Sequence, residues 1–213
     1  MRRSKNRNVE EKRKVKVSIL IPVYNVEEYI TQALESIPVK DDIEVVLIDD
    51  RSTDSSFDLV LDFFSETDLN MRVYRHYENK GITVTMNDLY SLAEGEYLYQ
   101  LDSDDCLNTE GWLKAYEQLD GIDMVYVDAQ TPTEYLAKHD ERNHNRCAAW
   151  FYFLRKDYLG SARRVQNSYG GDYEMYLYLI SRPHSKKFTQ ICAYNYNYPR
   201  VGSITWKRFN GEL

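Results

Sequence analysis

The alternation of short apolar runs with segments of helical spacing is the strongest constraint this sequence places on its fold. Val15 to Pro22 is β-rich, and Ile43 to Ile48 is apolar almost without a break, as in strands covered on both faces. Between them Tyr29, Ile30, Ala33, Leu34 and Ile37 recur at helical spacing within 27–37, which Pro38 closes. The pattern then repeats, predicting a helix over 55–64, a strand over 71–75, a helix over 82–93 and a strand over 97–101. Strand alternating with helix implies a parallel sheet with right-handed crossovers and helices on its faces. Ligands of such sheets bind beyond the carboxyl ends of the strands.

Two acidic clusters fall at that edge: Asp49-Asp50, with Asp54 nearby, and the run Asp102-Ser103-Asp104-Asp105. Alternate residues of a strand share a face, so Asp102 and Asp104 point the same way and a turn can swing Asp105 beside them. Like charges held so close are most cheaply kept around a cation. Hard oxygen ligands suit Mg²⁺ or Mn²⁺, usually with a substrate phosphate completing the shell. Taken alone, the run also reads as a solvated acidic turn.

Past Asp105 the pattern predicts a helix over 110–119 and a strand over 124–127. Residues 131–146 are polar and irregular, 148–154 apolar and aromatic, 172–180 helical in spacing and 190–198 strand-like. The expectation is one α/β domain over 15–213 with a mixed, mostly parallel sheet. Its first half, 15–105, carries the acidic edge, and its second, 106–213, adds antiparallel strands.

A net charge of −7 argues against a general nucleic-acid binder. Arg2, Arg3, Lys5, Arg7, Lys12, Arg13 and Lys14 make residues 1–14 basic, and they read as a disordered, solvated arm. No apolar run approaches the roughly 20 residues of a membrane span, so the chain is expected in the cytoplasm or peripherally at the inner face of the membrane. Cys106, Cys147 and Cys192 are scattered and suggest neither a disulfide framework nor a zinc site. The 19 tyrosines either line a sugar-sized groove or fill half-buried strand faces.

Several stretches, in order, resemble the motifs of one family. They are Pro22-Val23-Tyr24-Asn25, Val46 to Asp54, Asn79-Lys80-Gly81 with Asn87, Ala93 to Tyr97 followed by Leu101 to Asp105, and Gly171-Asp172. The sequence resembles the family-2 glycosyltransferases, inverting sugar-nucleotide-dependent enzymes of the GT-A fold. The resemblance implies a nucleotide diphosphate sugar as donor, most often a UDP-sugar, with Mn²⁺ or Mg²⁺ at Asp102, Asp104 and Asp105. It places Pro22, Tyr24 and Asp50 around the base, Asp50 accepting from a uracil ring N–H, and Asn25 among the residues that bind the donor. Asn79, Gly81, Asn87, Asp102, Ser103 and Arg200 fall to the rest of the donor, and Asp172 becomes the general base, with Glu174 in reserve. Inversion needs a base on the sugar face opposite the leaving group. The implied acceptor is a hydroxyl on a glycan, a lipid-linked glycan or another molecule, nucleic acid included.

Met86 departs from the family, whose members commonly carry a basic residue there; Lys80, Arg200 or Lys207 would have to supply that diphosphate contact. Trp150 either offers a stacking face to the acceptor or belongs to the core, and His184 either reaches the metal or lies at the surface. Asp50 and Asp172 also read as acids at helix starts. Two other functions compete: a nucleotidyltransferase, which would want a basic glycine-rich phosphate loop where Pro22 to Asn25 stand, and a degenerate sugar-nucleotide-binding protein.

Overall fold

Strands β1 (Val17–Val23) and β2 (Ile43–Asp49) are buried at every residue, which is why their sequences run apolar without alternation. The structure, a computed structural model, describes residues 14–136, 148–165 and 171–197. Strand β3 (Met71–Arg75) pairs with β2, and β4 (Tyr97–Gln100) pairs with the other side of β1, all parallel. Helices α1 (Ile30–Glu35), α2 (Ser56–Glu66) and α3 (Ile82–Leu92) connect them in turn.

Because β2 and β4 flank β1 on opposite sides, the strand order reverses at β1. A crevice therefore opens at the carboxyl ends of β1 and β4. Pro22 sits inside β1 rather than ending it. Pairing with β4 stops at Leu20, so the N–H that proline lacks is not needed on that side.

The second half adds β5 (Cys106–Leu107), α4 (Thr109–Tyr116), β6 (Met124–Gln130), β7 (Tyr135–Leu136), a 3₁₀ turn at Ala149–Phe151, β8 (Tyr152–Arg155), α5 (Lys156–Leu159), α6 (Asp172–Ser181) and β9 (Lys186–Asn195). Strand β8 enters antiparallel between β4 and β6, and β9 runs parallel to β6. The sheet is thus continuous, in the order β3-β2-β1-β4-β8-β6-β9-β5, with β7 on β6. Tyr99, Trp112 and Phe153 pack ring against ring beneath its centre, with Tyr99 and Phe153 centroids 4.5 Å apart. Helix α4 lies so close to β9 that a Cβ on Gly111 would meet the Cys192 carbonyl oxygen at 1.8 Å.

The expected architecture is therefore present: α/β, mostly parallel in the first half and mixed in the second. The short elements β5, β7, β8, α5 and the 3₁₀ turn were not anticipated, each too short to leave a period in the sequence. Strand β9 starts at Lys186, before the expected Gln190, because Gln190 has a left-handed φ of 56° and the pairing with β6 shifts register nearby. Such a break interrupts the alternation on which strand reading relies. The basic arm apart from Lys14, together with His139, His144, Cys147, Gly170, Tyr198, Arg200 and Lys207, lies outside the described residues. Among the described residues no helix is long and apolar enough to cross a membrane.

Candidate active site

The crevice begins with the loops after β1 and β2. Tyr24 follows β1 with 47% of its surface exposed, while Pro22 before it is buried. Asn25 takes a left-handed φ of 51° and ties the two loops together. Its Oδ1 accepts from the Thr53 N–H at 2.8 Å and its own N–H donates to Ser52 Oγ at 3.1 Å. Asn25 is thus an exposed brace between the two loops.

Asp50 is 3% exposed, and its oxygens accept from the Lys80 N–H at 2.9 Å and the Gly81 N–H at 2.7 Å, with His76 Nδ1 2.6 Å away. Asn79 Oδ1 also accepts from the Gly81 N–H, at 3.1 Å. Gly81 has φ 81°, a conformation that favours glycine, and from it α3 starts. Asp50 therefore closes the 79–81 turn. His76, whose other nitrogen lies 3.1 Å from Asp88, was missed by sequence reading because no local pattern marks it.

At the end of β4 the donors are fewer. Gln100 Nε2 donates to Asp102 Oδ1 at 2.5 Å. The Asp102 N–H donates to the Tyr194 hydroxyl at 3.1 Å, and that hydroxyl donates to Asp105 Oδ2 at 2.8 Å. The Asn197 N–H donates to Asp105 Oδ1 at 2.7 Å. Asp105 is 2% exposed, and burial, then Asp104 and Asp102, push its pKa well above the usual carboxylate range. Both its oxygens accept from the end of β9, one hydrogen bond to each. Among the described residues no three His, Cys, Asp or Glu side chains are grouped to hold a metal.

Asp102 and Asp104 remain, half-buried at the mouth, with Ser103 buried between them. Burial and the Asp104 charge push Asp102 up to about 7, with the Gln100 hydrogen bond opposing. A cation between the two would remove that repulsion. Two carboxylates that leave positions for phosphate oxygens and water match how Mg²⁺ and Mn²⁺ are commonly held, so the donor set fits such an ion.

Across the crevice Asp172 is the first residue of α6, entered through Gly171 at a left-handed φ of 77°. A Cβ on Gly171 would come within 2.9 Å of Arg164 Cβ and 2.8 Å of the Val165 carbonyl oxygen, so glycine permits the close approach. Asp172 is not the helix cap. Its Oδ1 instead lies 2.5 Å from Arg164 Nη1. The Arg164 side chain is 1% exposed and that of Asp172 30%, so solvent reaches this ion pair on its acidic side only. Packing around Asp172 raises its pKa while Arg164 works against that rise, leaving a carboxylate more basic than usual. Glu174, the reserve base, is exposed two residues along α6, about half a turn round the helix.

Arg164 also escaped sequence reading, since Arg163-Arg164 looks like an ordinary solvated pair. Its Nε donates to the Tyr90 hydroxyl at 3.0 Å and its Nη2 to Gln100 Oε1 at 2.5 Å. Asn87 brackets its backbone, Oδ1 accepting from the Arg164 N–H at 2.8 Å and Nδ2 donating to the Arg164 carbonyl at 3.1 Å. That engages the amide expected to serve the donor. Met86 is fully buried, so a basic residue there would point into the core of this chain, whereas the Lys80 side chain is 40% exposed. Trp150 is 4% exposed and stacks on Tyr194 with centroids 4.6 Å apart, which makes it a core aromatic. His184 precedes β9 at the opposite, amino edge of the sheet and cannot reach the aspartates.

Residues 18–177 match the family described as Glycosyl transferase family 2. A poly(ribitol-phosphate) β-glucosyltransferase of Bacillus spizizenii is 36% identical over 106 residues, covering 48% of this chain and 17% of that protein. Glycosyltransferase GlyG of Streptococcus pneumoniae is 30% identical over 164 residues, covering 74% of this chain and 51% of that protein. The chain thus spans about half or less of the length of these relatives. Among solved structures, Staphylococcus aureus TarS in complex with UDP-GlcNAc superimposes with a TM-score of 0.77 at 20% identity, over 90% of this chain and 61% of that one. The mannosyltransferase PcManGT of Pyrobaculum calidifontis, in complex with GDP-Man and Mn²⁺, gives 0.70 at 16% identity, over 92% and 61%. These likenesses establish the GT-A fold.

Proposed function

The chain belongs to glycosyl transferase family 2, and from that membership we propose that it transfers a sugar, with inversion, from a UDP-sugar to a hydroxyl of a cell-surface glycan or polyol-phosphate polymer. The observation that carries the reading is the pairing of two unlike carboxylate sites across one crevice. On one side Asp102 and Asp104 repel each other; on the other Asp172 is held by Arg164 and left open to solvent. UDP-GlcNAc in the TarS structure and the poly(ribitol-phosphate) relatives support the donor and acceptor classes.

Asp102 and Asp104 would hold Mn²⁺ or Mg²⁺, whose chemistry is to stabilise negative charge developing on the departing diphosphate. Tyr24 stacks on the base with its exposed ring face. Asp172 takes the proton of the attacking hydroxyl as the new glycosidic bond forms on the face opposite the breaking sugar–phosphate bond. A carboxyl of raised pKa is the stronger proton acceptor, and it remains ionised at neutral pH as long as its pKa lies below 7. Packing around Asp172 supplies the first property, and the opposing Arg164 charge favours the second.

Thermal shift of the full chain with UDP, UDP-GlcNAc, UDP-glucose and GDP-mannose, with and without Mn²⁺, tests the donor reading. A ligand bound by the native state stabilises it by mass action, so UDP compounds with Mn²⁺ should raise Tm above the others. Equal shifts for uridine and guanosine compounds would refute the base assignment. In the transfer reaction itself, Asp172→Asn should lose about 10²- to 10⁴-fold in kcat while donor affinity stays within a few-fold. Near-normal turnover of that variant would pass the role to Glu174.

A further inference from the structure

We infer that Arg164 is a positioning residue for the transfer step, holding the Asp172 carboxylate and, through Gln100, fixing how Asp102 is presented to the donor. The inference rests on Asp172 being the base. Arg164 is gripped from three elements: by Asn87 and Tyr90 of α3, by Gln100 of β4, and by Asp172 of α6. It connects the two sides of the crevice in one chain of contacts, Asp172 to Arg164 to Gln100 to Asp102, with 2.5 Å at each link.

The chemistry of the guanidinium sets the direction of that chain. It offers N–H donors and no acceptor, so Gln100 must turn its carbonyl oxygen toward Arg164. The amide nitrogen is then forced to face Asp102. Reversing the amide would set N–H against N–H at one end and oxygen against carboxylate at the other. Arg164 thereby decides which end of Gln100 meets Asp102, although it touches neither donor nor metal. A planar fork does this in a way a lysine cannot, because a single ammonium cannot meet Tyr90, Gln100 and Asp172 in these directions at once.

Several charged or titratable groups bear on Asp172. Arg164 comes from the loop before α6, Glu174 from α6 itself, Tyr90 from α3, Tyr152 from β8 and Asp102 from the end of β4. Arg164 is the cation among them. Removing its charge should move the Asp172 titration upward, and replacing it with another cation should not.

The test uses the full chain labelled with ¹³C at aspartate Cγ, the Asp172 signal being assigned with Asp172→Asn. Its titration is followed in wild type, Arg164→Lys and Arg164→Met, and affinity for UDP with Mn²⁺ is measured on each. Arg164→Met should shift the Asp172 midpoint to higher pH, and Arg164→Lys should leave it near wild type. Both should weaken Mn²⁺-dependent UDP binding roughly tenfold, as loss of a residue supporting a metal ligand commonly does. Arg164→Gln replaces the methionine variant if that one does not fold. An unmoved midpoint in a folded neutral variant, or wild-type UDP affinity in Arg164→Lys, overturns the inference. Loss of the base reading shows separately, as sugar transfer retained by Asp172→Asn.

Discussion

At the end of β2, Asp49 pairs with Arg75 Nε at 2.9 Å and accepts from the Ser52 N–H, while Asp50 beside it takes two further backbone N–H groups and His76. At the end of β4, Asp102 meets one side-chain amide and faces the like charge of Asp104, which together with burial pushes it up to about 7. Both clusters are acidic, both follow a buried strand, and both lie at one edge of one sheet. The difference is that Asp50 meets three donors of the fold, whereas burial and the nearby charge of Asp104 push Asp102 up. A site for an external cation is recognised by carboxylates held close together in a buried place, more than by the number of aspartates in a run.

The largest effect that would test this contrast is on stability. Asp50→Ala removes an acceptor engaged by three partners in a buried place, and should destabilise the fold by about 3 kcal/mol in urea or thermal unfolding. Were the variant to fold with wild-type stability and lose only its preference for uridine, the β2 end would be a ligand site like the other.

Asp104→Asn should act the opposite way. Taking one charge from the repelling pair should leave stability unchanged or slightly higher without metal, yet weaken Mn²⁺-dependent UDP affinity at least tenfold, about 1.4 kcal/mol. Calorimetric titration of UDP with and without Mn²⁺ decides it, and an unchanged Mn²⁺ dependence would remove Asp104 from the site.

A smaller, graded effect concerns pH. A proton on Asp102 competes with a cation, so Mn²⁺ affinity should rise as pH rises toward about 7 and level off above it. The same residue makes the metal-free protein less stable across the window from 3.8 to about 7, because there the unfolded carboxyl is already ionised and the folded one is not. Asp102→Asn should flatten that part of the stability profile, and a profile identical to wild type would mean the charge is answered after all.

The sequence alone determined the alternation of elements, the parallel first half and the edge where acidic residues gather, and it put Asp102, Asp104 and Asp172 forward as candidates. Each of these follows from local pattern: apolar runs without alternation for covered strands, helical spacing between them, and carboxylates placed by strand ends or by a glycine-led helix start. Family resemblance added the roles, which no spacing supplies.

Tertiary structure decided which partners within the fold the aspartates meet. Asp50 and Asp105 read as ligands in sequence because their partners are distant along the chain: Lys80 and Gly81 for one, Tyr194 and Asn197 for the other. Asn25 and Asn87 were likewise claimed by Thr53 and by the Arg164 backbone. Arg164 itself was invisible, since a buried cation differs from a solvated one only in what folds around it. Hydrogen-bond partners far apart in the chain leave no period behind, so only their meeting in space separates a carboxylate that holds the protein together from one left to hold a substrate.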